Sequence, residues 1–242
     1  MTVPRLHVTE RLAAGQEVRL EGDRAHYLRN VLRLREGAAV RPFNALDGEW
    51  QATIAKLARH EARVSLLAQV RAPLPEPGPT LVFAPIRRNR LDWMVEKAIE
   101  LGVARLVPVL TQRTVVRPER SDRLAAIAIE AAEQCERLTV PAIDEPRPFA
   151  AWLAARDPTA PLLFADERGT GSALARAVRA HPMAELLVGP EGGFTGEERE
   201  RLIAAPGVVP VSLGRRILRA ETAALYLLAG WQLEWQSSAG AM

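Results

Sequence analysis

The regular alternation of short apolar runs and helix-length segments between Thr80 and Trp235 is the strongest constraint on the fold. The apolar runs predict strands at 81–84, 103–110, 162–165, 186–188 and 208–213. The other segments predict helices at 91–101, 121–137, 149–156, 172–180 and 221–235, and Thr195-x-x-Glu198 has the form of a capping box. Such alternation indicates a parallel sheet with helices on both faces. We therefore predict an α/β domain over residues 80–242, for which general connection rules favour an unknotted, right-handed sheet.

Residues 1–72 have a different pattern, in which apolar and polar residues alternate over short segments. This pattern predicts strands at 17–20, 38–44, 49–57 and 63–70, and one helix near 23–32. The Asp47-Gly48 pair between two of the strands is typical of a β-hairpin. A small β-barrel is the simplest arrangement of these strands, because closure removes exposed edges.

The boundary between the two patterns is a proline-rich stretch. Prolines occupy positions 73, 75, 77 and 79, and a stretch of this composition cannot join a helix or a central strand. We therefore predict three parts: a domain of residues 1–72, a linker of residues 73–79 and a domain of residues 80–242.

The composition, with 48% apolar and 25% charged residues, is ordinary for a folded chain. No apolar run is long enough to span a membrane, and residues 1–5 do not resemble a signal or transit peptide. We therefore expect a cytoplasmic protein with no membrane partner. The single cysteine, Cys135, excludes an intramolecular disulfide. No Cys/His spacing indicates zinc, so no metal is expected.

Positive charge is concentrated in the first part of the chain, where residues 1–72 contain 12 Lys and Arg against 8 Asp and Glu. Nearly all of the basic residues are arginine, since Lys56 and Lys97 are the only lysines. Arginine favours bidentate contacts with phosphate and stacking on bases. A solvated basic surface explains the surplus equally well.

Two glycine-containing loops follow the last two predicted strands. The first loop reads Gly189-Pro190-Glu191-Gly192-Gly193, and the second runs from Leu213 and Gly214 towards Ala223. Ligands of open α/β sheets bind where loops leave the carboxyl ends of strands, so we predict that both loops form one pocket. The first loop has neither P-loop nor dinucleotide spacing, and Glu191 would repel a pyrophosphate. A neutral or cationic ligand is therefore favoured; a plain turn before a capped helix is the structural alternative.

The two loops together resemble the SPOUT class of S-adenosylmethionine-dependent RNA methyltransferases. The string Arg216-Ile217-Leu218-Arg219-x-Glu221-Thr222-Ala223 is similar to that of the ribosomal RNA small subunit methyltransferase E family. That family methylates N3 of a uridine in small-subunit (16S) ribosomal RNA. Further similarity at 4–6, 26–33, 96–103 and 130–135 extends the resemblance over nearly the whole chain.

The resemblance implies S-adenosyl-L-methionine as cofactor, a trefoil knot in a SPOUT-type sheet, and a PUA-like, RNA-binding barrel as the first domain. It also implies a homodimer that acts on small-subunit ribosomal RNA, with the assembled 30S subunit favoured and naked RNA left open as the substrate. The predicted cofactor-binding residues lie in and beside the two loops: Leu187, Val188, Gly189, Pro190, Glu191, Gly192, Gly193, Leu213, Gly214, Ile217, Leu218, Arg219, Thr222 and Ala223.

Three residues are predicted to be catalytic. Arg219 cannot remove the N3 proton, because the pKa of arginine exceeds about 12, but it can stabilise negative charge on the uracil carbonyls. An ion pair with Glu191 or Glu221 is its structural alternative. Glu221 opens the last predicted helix, where capping explains it as well as catalysis does. Glu191 is the candidate base, and loss of the proton to water stays open beside it.

A set of arginines is predicted to contact RNA phosphates, which would make binding strongly dependent on salt. Three of them belong to the first predicted domain, three follow strand 81–84 and one follows strand 103–110. These residues are Arg5, Arg29, Arg33, Arg87, Arg88, Arg90 and Arg113, and Arg117 extends the last group.

Two other functions are compatible with the same fold. A ribose 2′-O-methyltransferase of the SPOUT class is disfavoured by the string around Arg219. A non-catalytic RNA-binding or assembly factor would not need to bind the cofactor. The helix at 221–235 is apolar on nearly all sides, which indicates burial on all sides, and a partner subunit is the predicted cover.

Overall fold

The structure, a computed structural model, describes residues 3–116, 121–169 and 171–239, with side chains as far as residue 237. The chain forms two compact units. The first comprises Met1–Glu76 with Ala132–Val140, and the second comprises Pro77–Ala131 with Pro141–Met242. The division predicted from the proline-rich stretch stays a prediction.

The first unit contains a five-stranded sheet. Its strands are β1 (Arg5–His7), β2 (Glu17–Glu21), β3 (Ala39–Asn44), β4 (Gly48–Leu57) and β5 (Glu61–Arg71). The order is β1-β3-β4-β5-β2, with β1 parallel to β3 and the other pairs antiparallel. The predicted hairpin is present, because Asn44 pairs with Gly48 across the turn between β3 and β4.

Alternate residues of these strands form the core of the first unit. Side chains that are at most 3% exposed include Val18, Leu20, Ile54, Val64 and Leu66. This period of two is that of a pleated strand with one buried face. The helix predicted at 23–32 is shorter than expected: α1 (Asp23–His26) continues as a π-helical turn, Tyr27–Val31.

From Thr80 onward, the predicted strands and helices are present, and three additional two-residue strands interrupt their alternation. The strands are β6 (Thr80–Phe83), β7 (Arg105–Leu110), β8 (Ala142–Ile143), β9 (Arg147–Pro148), β10 (Leu162–Ala165), β11 (Ser172–Ala173), β12 (Glu185–Val188) and β13 (Val208–Ser212). The helices are α2 (Arg88–Glu100), α3 (Ser121–Gln134), α4 (Phe149–Ala155), α5 (Leu174–Ala180), α6 (Gly196–Ala204) and α7 (Ala220–Ala239).

The strands from Thr80 onward form one parallel sheet of order β11-β13-β10-β12-β6-β7-β8, in which β9 also pairs with β7. The α/β fold class is thereby confirmed. Apart from β6, β7 and β8, neighbouring strands are not consecutive in sequence, and the carboxyl ends of β10, β12, β6 and β7 meet at one edge. The knot stays a prediction. The helix predicted at 172–180 begins two residues late, because Ser172 and Ala173 pair with Val211 and Ser212 of β13.

Helix α7 contacts α2, α5 and β12. Leu227, Leu228 and Trp231 are buried, whereas Tyr226 is 50% and Leu233 is 67% exposed. The single chain therefore leaves one side of this helix open. In the described part of the chain, no helix has the length and apolar character needed to cross a membrane.

Candidate functional site

The loop after β12 is built around Phe194. Its ring lies 5.5 Å from that of Phe164 and 5.4 Å from that of Phe149, measured between centroids. Gly189 lies directly against this ring, since a Cβ added there would be 2.7 Å from Cε2 of Phe194. The loop therefore needs glycine at position 189 for a packing reason. Gly193 has a φ of +67°, a conformation that favours glycine.

The predicted capping box at the start of α6 is confirmed. Thr195 Oγ1 accepts the N–H of Glu198, and Glu198 Oε2 accepts the N–H of Thr195 at 2.9 Å. The other carboxylate oxygen of Glu198 accepts the N–H of Gln112, in the loop after β7, at 2.8 Å. Glu198 is only 5% exposed. Its buried carboxylate therefore holds the loop after β7 and the loop after β12 together.

Three loops enclose a cleft at the carboxyl edge of the sheet, with about 770 Å³ of space including the part open to solvent. The loops are those after β10, after β12 and after β13. Of the predicted cofactor residues, ten line the cleft: Val188, Gly189, Pro190, Glu191, Gly193, Leu213, Gly214, Ile217, Leu218 and Ala223.

Four predicted cofactor residues lie elsewhere. Leu187 is buried in the core beneath the cleft. Gly192 faces a second cleft, and Arg219 and Thr222 are exposed outside the lining. These roles stay predictions.

The structure adds a loop that sequence reasoning missed, the one after β10. It brings Asp166 and Glu167 to the cleft, beside Phe164, Ala165, Phe194, Arg199, Arg216 and Ala220. The sequence contained a signal for this loop, because strand 162–165 was predicted. In a parallel sheet, its carboxyl end lies at the same edge as the ends of the other strands, where ligands bind.

Asp166 is held by a two-pronged ion pair with Arg199 of α6. Nε of Arg199 donates to Oδ1 at 3.0 Å, and Nη2 donates to Oδ2 at 2.8 Å. The hydrogen bond that Arg199 donates to the Asp166 carboxylate raises the pKa of the Arg199 guanidinium above its usual range. Asp166 is only 5% exposed. Its buried ion pair with Arg199 therefore fixes the loop after β10 against α6.

Two of the three predicted catalytic residues meet at Arg90 of α2. Nη1 of Arg90 donates to Oε1 of Glu191 at 2.5 Å, and its Nε lies 3.7 Å from Oε1 of Glu221. Glu221 is 7% exposed, and its Oε2 has no hydrogen-bond partner among the described residues. Arg219 forms no ion pair within the described chain. The structural alternative to a catalytic role was an ion pair between Arg219 and Glu191 or Glu221. In the structure, Arg90 forms these ion pairs instead.

The other arginines predicted to contact RNA are placed in three ways. Arg87 and Arg88 are exposed before and at the start of α2. Arg113 donates to the carbonyl of Gly192 at 2.7 Å. In the first unit, Arg29 and Arg33 are exposed.

Arg5 differs from these because it is only 8% exposed. Its guanidinium donates to Glu49 and to the carbonyls of Ala132 and Arg137, and lies 4.0 Å from the centre of the Phe43 ring. Arg117 lies outside the described residues. Among those described, no group of three or more potential metal ligands comes together.

The fold and the cleft agree with the matches to family models, which identify an RNA methyltransferase of the SPOUT class. The family model for the RNA methyltransferase domain matches residues 75–232, and that for the RNA methyltransferase PUA domain matches residues 20–67. The chain belongs to the ribosomal RNA small subunit methyltransferase E family.

Individual relatives support this assignment over most of the chain. The relative from Rickettsia conorii is 33% identical over 95% of each chain. The relative from Synechocystis is 34% identical over 84% of this chain and 69% of its own. The solved structure of the Neisseria gonorrhoeae relative bound to S-adenosyl methionine has a TM-score of 0.84 and 30% identity, and the match covers 96% of this chain and 98% of that one.

Proposed function

We propose that this protein uses S-adenosyl-L-methionine to methylate N3 of a uridine in small-subunit (16S) ribosomal RNA. The observation that carries the proposal is the meeting of the two glycine-containing loops in one cleft, with Arg219 at its border. The relatives named for small-subunit ribosomal RNA methylation support the substrate. The string around Arg219 supports the N3 position over a ribose oxygen.

The residues of the cleft fit a cationic nucleoside. Val188, Leu213 and Leu218 give it apolar surface for an adenine. The carboxylate of Glu167 favours a positive charge nearby, whereas the charges of Glu191 and Arg199 are already paired with Arg90 and Asp166. A pyrophosphate would be repelled by the carboxylate of Glu167. When bound, S-adenosylmethionine supplies the methyl group as a sulfonium electrophile.

The protein itself positions the uracil and handles the charge that forms on it. N3 would give its proton to an acceptor, and its electron pair would form the bond to the methyl carbon while the carbon–sulfur bond breaks and its electron pair stays on the sulfur, which leaves as a neutral thioether. Arg219 donates to the uracil carbonyls, where negative charge develops, and such a charge-assisted hydrogen bond contributes about 1.5–3 kcal/mol. Because Arg219 is exposed and unpaired within the described chain, its donors are free for the substrate.

The proton acceptor is proposed to be Glu191 or solvent water. Glu191 is the one predicted catalytic carboxylate that lines the cleft. Its Oε1 already accepts from Arg90, so a proton from N3 would go to Oε2. Glu221 is proposed to orient Arg90 from the buried start of α7.

The assembly is proposed to be a homodimer that acts in the cytoplasm on the 30S subunit. Support for the dimer comes from the open side of α7, where Tyr226 and Leu233 flank a shallow groove against Leu174 of α5. The unit that contains β1 to β5 is proposed to contact RNA through Arg29 and Arg33.

The test is a methylation assay with labelled S-adenosylmethionine and small ribosomal subunits that lack the modification, followed by primer extension. A methyl group on N3 blocks the Watson–Crick edge, so we expect a hard stop at one uridine. The Arg219→Ala variant is the matched control. Label without a hard stop would indicate ribose methylation, and bound cofactor with no label on any RNA would support the non-catalytic alternative.

A further inference from the structure

A second cleft lies beside the cofactor cleft, and it has no assigned ligand. Three segments form it: residues 85–87 after β6, residues 112–116 after β7 and residues 190–192 after β12. These strands are neighbours in the sheet order β12-β6-β7. Their carboxyl ends therefore lie at the same edge as the cofactor cleft.

The two clefts share a wall. Pro190 and Glu191 line both of them, so a ligand in the second cleft is separated from the first by a single turn of backbone. A reaction between two bound molecules requires that their reacting atoms come within contact distance. The shared residues Pro190 and Glu191 place the two clefts side by side at this edge of the sheet.

The lining of the second cleft combines apolar surface with two guanidinium groups. Ile86 and Pro190 are buried beneath it, whereas Val115 is 83% exposed at its margin. Arg113 uses Nη1 for the carbonyl of Gly192, and its Nε and Nη2 form no hydrogen bond with the described residues. Arg87 is exposed and forms no ion pair in the described chain.

We propose that this second cleft holds the target nucleotide of a single-stranded RNA segment, with the base on the exposed apolar surface of Val115. Arg87 and Arg113 bind the adjoining phosphates. The inference rests on the proposed function and specifies where its substrate sits. Enzymes that act on a base extrude it and pack it between aromatic or apolar side chains, and positively charged grooves bind the backbone of the single strand.

Glu198 positions this cleft relative to the first. Its carboxylate holds the N–H of Gln112 on one side and the N–H of Thr195 on the other. It touches neither ligand and acts through the backbone of the two loops. Loss of the Glu198 carboxylate is therefore expected to weaken RNA binding even where the affinity for the cofactor is unchanged.

Two variants test the cleft without disturbing a structural contact. Val115→Glu places a negative charge at an exposed apolar position, and Met183→Glu, at a residue 66% exposed and outside both clefts, is its control. Arg87→Ala removes one guanidinium, and Arg179→Ala, which loses only an exposed pair with Glu234, is its control.

The probe is a single-stranded RNA oligonucleotide with one uridine, bound to the full chain at several salt concentrations, with cofactor affinity measured in parallel. Val115→Glu and Arg87→Ala are each expected to weaken RNA binding about tenfold at low salt. Arg87→Ala should also reduce the slope of log K against log salt by about one. Affinity for S-adenosylmethionine should stay within about twofold.

The proposal is overturned if both variants bind RNA as their controls do, and also if Val115→Glu weakens cofactor binding as much as RNA binding. A failure of the proposed function looks different: the unaltered protein would then transfer no label to any RNA. The cleft variants would still report whether RNA binds in the second cleft.

Discussion

Glu198 and Gln112, which are 86 positions apart, are joined by a hydrogen bond of 2.8 Å from the Gln112 N–H to a buried carboxylate oxygen. The other oxygen of the same carboxylate completes the capping box with Thr195. A residue that sequence pattern assigns to local capping therefore also ties the loop after β7 to the loop after β12.

Replacement of Glu198 by glutamine should destabilise the protein by about 1–3 kcal/mol, because the amide nitrogen cannot accept either N–H and one buried donor loses its partner. The measurement is the free energy of unfolding from denaturant titration. Glu197→Gln is the matched control: that side chain is 62% exposed and pairs with Arg201, so a change within about 0.5 kcal/mol is expected. Equal losses in the two variants would contradict the role of Glu198.

Gly189→Ala should cost about 1–3 kcal/mol of stability, because the added methyl group forces the buried Phe194 ring to move. Cofactor affinity should fall with it, since this ring and this glycine both line the cleft. Gly196→Ala is the control, because nothing lies within 4 Å of a Cβ added there. The affinity for S-adenosylmethionine is measured by calorimetric titration. Equal affinities of the two variants would contradict the role of Gly189 in shaping the cleft.

Arg219→Ala is expected to lower turnover roughly 10- to 150-fold, which corresponds to the loss of one charge-assisted hydrogen bond. The affinity for S-adenosylmethionine should change by less than about twofold, since Arg219 lies outside the lining of the cleft. Single-turnover kinetics and cofactor titration together check this, with Arg215→Ala, another exposed arginine of the loop, as control. Equal loss of turnover and cofactor affinity would make Arg219 a cofactor ligand.

Arg5→Ala should destabilise the first unit by about 3–5 kcal/mol, because Glu49, which is 1% exposed, would lose its buried partner. Arg41→Ala offers a control at the same carboxylate. Arg41 lies 3.6 Å from Glu49 but its side chain is 45% exposed, so its loss should cost less than about 1 kcal/mol. Thermal unfolding of both variants distinguishes a buried ion pair from a surface one.

His7 should make the stability of the first unit fall in mild acid. Burial, followed by the positive charge of Arg24, lowers the pKa of His7 below the ordinary 6.5. The unfolded chain therefore binds the proton first, and stability declines as the pH falls below about 6.5 and levels off below the folded pKa. His7→Phe should reduce the difference in unfolding free energy between pH 7.5 and 5.5; an unchanged difference would exclude His7 as its source.

The sequence by itself determined the elements whose signals are local. Alternating apolar runs and helical segments were sufficient for a parallel α/β sheet, and Thr195 with Glu198 for a helix start. The Asp47-Gly48 pair was sufficient for a hairpin. Each of these depends on residues within a few positions of one another, where backbone geometry and capping hydrogen bonds act directly.

Only the tertiary structure decided which side chains meet. Arg90 reaches Glu191, 101 positions away, and Arg199 reaches Asp166, 33 positions away. Sequence reasoning assigned Arg90 to RNA and did not find Asp166. The order of strands in the sheet sets these distances, and that order depends on how the whole set of apolar faces packs. No local pattern encodes it, so the partners of the charged residues appear only when the sheet is assembled.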